Sequence, residues 1–240
     1  MKSNLEAHLV ELVERLKKAY GADLVSVILY GSGASTDFQE KFSDLNIFCA
    51  LRQVTPRELA AADPVLRWWI KLGHPAPLLM AEEEVARSTD CFPIEFQDMI
   101  DRRRVLHGKD VIEGLPVDRS FYRAQVEYEL RSKLLRLRQK AASVMHDRDL
   151  LLRLMADSVS TFLVLARHAI LLKGEQCPAS RQETLAKLKP AAGVDEAPFA
   201  KLVALRDLPA ERKGVDVSVL FEQYLKEVRV LVDAVDRIEK

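Results

Sequence analysis

The chain has 240 residues, of which 48% are hydrophobic and 30% are charged, a composition typical of a globular protein with a substantial core. Its 36 basic and 36 acidic residues balance, and its three cysteines are far apart, which argues against a strongly nucleic-acid-binding protein, a disulfide framework and a cysteine zinc site. No stretch has the length and apolarity of a membrane span or a signal peptide, so we expect a cytoplasmic protein with no membrane partner.

The first residues predict an amphipathic helix over 3–20. Ser3 and Glu6 have the spacing of a capping box, and the leucines that follow recur on one helical stripe. The next segment, 25–30, is β-branched and aliphatic and stops at Gly31. A short apolar run closed by a turn residue is typical of a buried strand.

A second strand is expected to end near Leu51, after a polar connection of about a dozen residues. Polar and apolar residues alternate at its start, with Asp44 and Asn46 separated by Leu45. Because side chains of a strand point to opposite faces in turn, Asp44 and Asn46 are predicted to lie side by side on one face.

The stretch from 55 to 99 predicts two helices and two more strands. Thr55 is expected to cap a helix that runs to Gly73, with a break or restart at Pro64. Residues 77–80 form an expected edge strand, and residues 82–84 an acidic first turn of a small helix. The segment 92–99 is predicted to be a further strand, with Glu95 on its open side.

From about Pro116 onward the pattern is entirely helical. The helices are predicted at 119–145, 149–173, 181–190, 195–207 and 216–239. The sequence therefore predicts an α+β domain at 1–115, followed by an all-α helical bundle domain at 116–240.

Gly31-Ser32, followed by Asp44-x-Asn46 and by Glu95, resembles the signature of the polymerase-β-type nucleotidyltransferases. That resemblance implies a small mixed sheet with flanking helices, in which a Gly-Ser turn after one strand opens a helix that leads to the second strand. It also implies transfer of a nucleoside monophosphate from ATP or another nucleoside triphosphate with the help of Mg²⁺. The helical half resembles that of kanamycin nucleotidyltransferase and related enzymes, in which it helps to form the acceptor site.

The resemblance gives each residue of the signature a role. Gly31 and Ser32 would hold the triphosphate, and Asp44 would bind the metal and take part in catalysis. Glu95 would either help to bind the metal or deprotonate the acceptor hydroxyl. Asn46 would offer its amide oxygen to the metal or nucleotide, but it removes one negative charge, which weakens a magnesium site. Each residue also has a plain structural interpretation, namely a tight turn, a strand-end cap or a solvated side chain. Asp98 would face away from Glu95 on a regular strand and is a reserve candidate.

Three interpretations of function stay open. The chain could be a nucleotidyltransferase that modifies a small-molecule or protein hydroxyl, or a catalytically degenerate nucleotide-binding or partner-binding module, as Asn46 suggests. It could also be an α+β domain joined to a bundle with no nucleotide role. The basic run 102–104 could meet a phosphate, although a solvated face is the more common outcome. A second subunit could close the cleft, so a homodimer is among the expectations.

Overall fold

The computed structural model describes the backbone of residues 2–34, 45–207 and 214–238, and the side chains of 5–34, 45–206 and 214–238. Asp44 and the side chain of Ser3 lie outside these described residues. The chain divides into two compact units, Met1–Ser120 and Phe121–Lys240. No helix of the described part is both long enough and apolar enough to cross a membrane.

The first unit contains four helices and four strands within its described residues. The helices are α1 (Lys2–Tyr20), α2 (Pro56–Lys71), α3 (Glu82–Val85) and α4 (Pro93–Asp101). The strands are β1 (Leu24–Tyr30), β2 (Asn46–Leu51), β3 (Leu78–Ala81) and β4 (Arg103–Gly108).

The four strands form one mixed sheet in the order β3-β2-β1-β4. Strand β1 pairs antiparallel with both β2 and β4, whereas β3 pairs parallel with β2. The small mixed sheet with flanking helices is the predicted α+β architecture, and the edge strand predicted at 77–80 is confirmed as β3. Strand β4 was not predicted, because the sequence offered residues 102–104 as a charged run rather than as part of a strand.

Each face of the sheet is covered by its own apolar cluster, since residues along a strand alternate between faces. One face packs against α1 and α2, and includes Leu29 and Ile47. The other face, which we call the α4 face, places Ile28 and Phe48 against residues of α3 and α4. Strands β1 and β2 are therefore buried on both sides, as the apolar run over 25–30 predicted for β1.

Helix α2 confirms the predicted cap and corrects the predicted break. The Thr55 side chain accepts a hydrogen bond from the Arg57 N–H, and the Glu58 carboxylate accepts one from the Thr55 N–H. The helix continues through Pro64. Val65 and Trp69, beyond the proline, are buried in the same cluster as Ala62 before it, so tertiary packing holds both halves in one helix despite the lost hydrogen bond.

The prediction of a strand over 92–99 is wrong, because these residues belong to helix α4. Pro93 occupies the first turn, where its missing N–H costs nothing and its fixed φ suits a helix. The buried residues Ile94 and Phe96 have the spacing of a strand, whereas Phe96 and Met99 have the spacing of a helix, so periodicity over so short a stretch could not separate the two. The strand that pairs with β1 is instead β4, just after this helix.

The second unit is helical throughout its described residues. Its helices are α5 (Tyr122–Ala142), α6 (Arg148–Leu172), α7 (Arg181–Ala192), α8 (Ala197–Asp207) and α9 (Val217–Asp236). Helix α6 packs against the other four, which explains why it is apolar on most of its circumference. The predicted cap at Ser180 is confirmed by its bond from the Glu183 N–H, but α7 runs past Pro190, where a stop was predicted.

Candidate active site

The ends of β1 and β2 bring together part of the predicted signature. Tyr30 is the last residue of β1 and pairs with Asn46, the first residue of β2. Asn46 precedes Phe48 by two residues, so it lies on the α4 face, as Tyr30 does. Buried Leu45 belongs to the opposite cluster, which agrees with the alternation that the sequence predicts here.

The Gly31-Ser32 turn follows directly, as a 3₁₀ turn over Gly31–Ala34. Gly31 has φ +71°, a left-handed conformation that other residues adopt only with strain. A Cβ atom at this position would lie 3.3 Å from the Asn46 Nδ2 atom, so the glycine also allows the amide to approach the turn. The Gly31 N–H donates to the Arg102 carbonyl at 3.0 Å, so it fixes the turn and is not available to a phosphate.

Glu95 and Asp98 lie on α4, Glu95 exposed and Asp98 partly buried. Residues three apart on a helix share a face, so the two side chains leave the same side of α4, contrary to the prediction made for a strand. Burial raises the pKa of the Tyr30 hydroxyl, and the negative charges of Glu95 and then Asp98 raise it further. Both carboxylates therefore act electrostatically on the end of β1, next to the Gly-Ser turn.

Two residues of the predicted basic run 102–104 form ion pairs within the protein. Arg103 donates to Asp110 at 2.8 Å and to the Ile100 carbonyl at 3.0 Å, and its side chain is mostly buried. Arg104 forms an exposed ion pair with Glu6 of α1. The predicted solvated face therefore describes Arg104 but not Arg103, and both cations pair with carboxylates of the protein itself.

The oxygen donors at the strand ends fit magnesium chemically. Asn46 offers an amide oxygen, and Glu95 and Asp98 offer carboxylates, all hard ligands of the kind Mg²⁺ prefers. Among the described residues, no group of three His, Cys, Asp or Glu side chains is close enough to hold a metal. Asp44, which the signature places two residues before Asn46, lies outside the described residues.

A cavity opens at the other end of β1, where the strand begins. Its volume is about 770 Å³, and its lining includes Val25, Arg52 and Lys109. Lys109 pairs there with Glu82. The residues that line this cavity do not include the Gly-Ser turn, Asn46 or Glu95. The cavity is therefore separate from the candidate site formed by the signature residues.

The sequence-based prediction missed two features of the site. Tyr30 reads only as the end of an apolar run, although its position just before Gly31 and on the same face as Asn46 could have indicated it. The contact between Gly31 and the Arg102 carbonyl joins residues 71 positions apart and involves a backbone oxygen, for which no side-chain pattern exists.

Comparison with known proteins identifies the fold. No family model matches the sequence, and no curated protein matches it. Among solved structures, the chain is similar to spectinomycin adenyltransferase AAD(9) from Enterococcus faecialis, determined with ATP and spectinomycin. The TM-score is 0.60 at 11% sequence identity, over 95% of this chain and 98% of the other. The chain therefore has the polymerase-β-like nucleotidyltransferase fold with a helical carboxyl-terminal region, as the resemblance implied.

Proposed function

We propose that the chain is a nucleotidyltransferase-like protein that binds ATP or another nucleoside triphosphate with Mg²⁺ and transfers the nucleoside monophosphate to a hydroxyl group. The acceptor would be a small molecule or a protein. One observation carries the proposal: the Gly-Ser turn, Asn46 and the helix that bears Glu95 meet at one end of the sheet. The solved adenyltransferase of the same fold contains both ATP and a small-molecule acceptor.

The residues have distinct roles in this proposal. The Ser32 hydroxyl and the N–H groups after Gly31 would hold the phosphate tail, since backbone donors at a tight turn suit anions. Asp44, Asn46 and Glu95 would hold the metal, which supplies charge neutralisation on the phosphates when bound. In the transfer, the acceptor oxygen forms a bond to the α-phosphorus while the bond to pyrophosphate breaks in line. Glu95, exposed in the first turn of α4, would take the hydroxyl proton.

Calorimetric titration of ATP, with and without Mg²⁺, tests nucleotide binding. The unsubstituted protein should bind ATP in the presence of Mg²⁺. Ser32→Ala should weaken binding about tenfold, because it removes one hydrogen bond to a charged group. Ser88→Ala is the matched control, since Ser88 is partly buried and its hydroxyl donates to the Glu84 carbonyl at the end of α3, away from the Gly-Ser turn. If the unsubstituted protein gives no binding heat in either condition, it does not bind ATP and the proposal fails.

Asn46 favours a second candidate, a degenerate module that binds nucleotide without turnover. An amide beside the Gly-Ser turn supplies no negative charge where the family has a carboxylate. Asn46→Asp restores that charge, and pyrophosphate release from ATP with a panel of hydroxyl acceptors measures its effect. The degenerate candidate predicts turnover only in the variant. Turnover at ordinary rates in the unsubstituted protein would instead establish the enzyme.

A further inference from the structure

Helix α4 carries a second acidic residue in an informative position. Asp98 follows Glu95 by three residues, so the two side chains leave the helix about 60° apart and one turn apart along its axis. Ile94, Phe96 and Met99 are buried, which fixes the rotation of the helix about its axis. The orientation of Asp98 is therefore set by the packing of its neighbours.

A chain of backbone contacts places Asp98 near the Gly-Ser turn. The Gly31 N–H donates to the Arg102 carbonyl at 3.0 Å, and the Arg102 N–H donates to the Asp98 carbonyl at 3.0 Å. Asp98 is thus one helical turn from the residue that contacts Gly31, whereas Glu95 is about two turns away. Phe96 and Met99 pack against Ile28 and Phe48, which seats this part of α4 over the same face of the sheet.

Electrostatics agree with this placement. Asp98 and Glu95 both act on Tyr30, which pairs with Asn46. Both carboxylates therefore lie within electrostatic range of the residue that pairs with Asn46. Asp101, one turn further along α4, accepts a bond from Gln97 at 2.8 Å.

The proposed metal site has one carboxylate fewer than the resemblance implies. The resemblance implies three carboxylates, and Asn46 leaves only Asp44 and Glu95. Mg²⁺ binding depends on anionic oxygens as well as on geometry. A third negative charge from α4 would restore the total without any change at position 46.

We propose that Asp98 supplies the carboxylate that position 46 lacks, and that it contributes to the Mg²⁺ site beside the Gly-Ser turn. This inference rests on the proposed function, because the metal would bind together with the nucleotide. It makes Asn46 compatible with metal binding, so the amide is not by itself evidence of a degenerate site.

Titration of Mn²⁺ into the protein saturated with a non-hydrolysable ATP analogue tests the inference without relying on turnover. Asp98→Asn should weaken Mn²⁺ binding about tenfold, as expected for the loss of one charged contact. Asp101→Asn makes the same chemical change one turn away and should leave the affinity unchanged. Adding Asn46→Asp to Asp98→Asn should restore most of the affinity, which a purely structural role for Asp98 would not allow.

A second readout uses the unsubstituted protein and does not depend on the variants folding. Mg²⁺ with the analogue should shift the ¹³C NMR signal of the Asp98 carboxyl group and leave that of Asp101 in place. Unchanged Mn²⁺ affinity in Asp98→Asn, or an unshifted Asp98 signal when Mg²⁺ and the analogue bind, would overturn this inference and leave the proposed function intact. Failure of the unsubstituted protein to bind the analogue would overturn the proposed function itself.

Discussion

Single residues decide how far the sequence could predict this site. The turn at Gly31 and the alternation around Asn46 could be predicted, because a left-handed turn favours glycine and a strand has a period of two. The role proposed for Asp98 could not be predicted, because the direction of its side chain depends on whether residue 98 lies on a strand or a helix. The backbone conformation of Gly31 and the hydrogen bonds of Glu127 lead to two predictions.

Gly31→Ala should destabilise the protein and weaken ATP binding. The left-handed φ of +71° costs an alanine about 1–2 kcal/mol, and the new methyl group would press on Asn46, 3.3 Å away. Gly193→Ala is the matched control, with φ +68° and no atom within 4 Å of the added methyl group. Chemical denaturation should show a similar loss of stability in both variants, while calorimetry shows weaker ATP binding only in Gly31→Ala. Equal ATP affinities in the two variants would contradict a nucleotide contact at the turn.

Glu127 should make stability depend on pH in the acid range. A hydrogen bond from Arg131, together with one from Arg123, holds the pKa of the Glu127 carboxyl below its usual value. A lowered pKa in the folded state stabilises the protein above the unfolded pKa, and that contribution disappears as the pH falls through the folded pKa. Glu127→Gln should therefore lose about 0.5–1 kcal/mol of unfolding free energy at pH 7, and the difference from the unsubstituted protein should vanish in strong acid.

Denaturation series at several pH values measure this difference. Glu222→Gln serves as the control, because Glu222 is an exposed residue of α9 and should change the free energy of unfolding little at any pH. A deficit in Glu127→Gln that is the same at pH 7 and in strong acid would show that packing, and not the charge, accounts for the effect.

At the scale of elements, most helices and strands followed from caps and periodicity, and the errors have physical reasons. Helix α2 passes through Pro64, where a break or restart was predicted, since buried residues on both sides outweigh one lost hydrogen bond. Helix α7 extends two residues past Pro190, where a stop was predicted. Helix α4 was mistaken for a strand because nine residues are too few to separate the two periods. Every residue of strand β4 is exposed or partly exposed. The strand therefore lacks the apolar run from which β1 was predicted.

Arg103 and Arg104 are adjacent, but their substitution should lower the free energy of unfolding by very different amounts. Arg103 connects the end of α4 to Asp110, with both side chains mostly buried. Arg103→Ala should cost about 2–3 kcal/mol, as expected when charged hydrogen bonds are removed and their partners are left unpaired. Arg104→Ala breaks only an exposed pair with Glu6 and should cost under about 1 kcal/mol. Urea denaturation followed by circular dichroism measures both, and equal losses would show that the α4 contact does not stabilise the unit.

At the scale of the molecule, each unit has a core of its own. The sheet of the first unit is covered by two apolar clusters drawn from that unit alone. In the second unit, α6 is surrounded by the other helices. The sequence predicted the change of character near residue 116 because strand signals cease there, but the similarity to a solved adenyltransferase at 11% identity could only be found once the backbone was known.

Separate cores predict that a core truncation in one unit lowers mainly the stability of that unit. Both tryptophans of the chain, Trp68 and Trp69, lie on α2, so tryptophan fluorescence reports on the first unit, whereas most of the helical circular dichroism comes from the second. Leu12→Ala and Leu130→Ala are matched, since both leucines are fully buried, and each should cost about 2–5 kcal/mol.

In thermal scans of the full chain, Leu12→Ala should lower the fluorescence midpoint and shift the circular dichroism midpoint little, and Leu130→Ala should do the reverse. Equal shifts of both midpoints in both variants would show that the chain unfolds as one cooperative body. The distinction matters for the proposed site, because its described residues all belong to the first unit. If the units are energetically separate, Leu130→Ala should leave ATP affinity unchanged below the unfolding transition, and any loss of affinity there would mean that the helical unit contributes to binding the nucleotide.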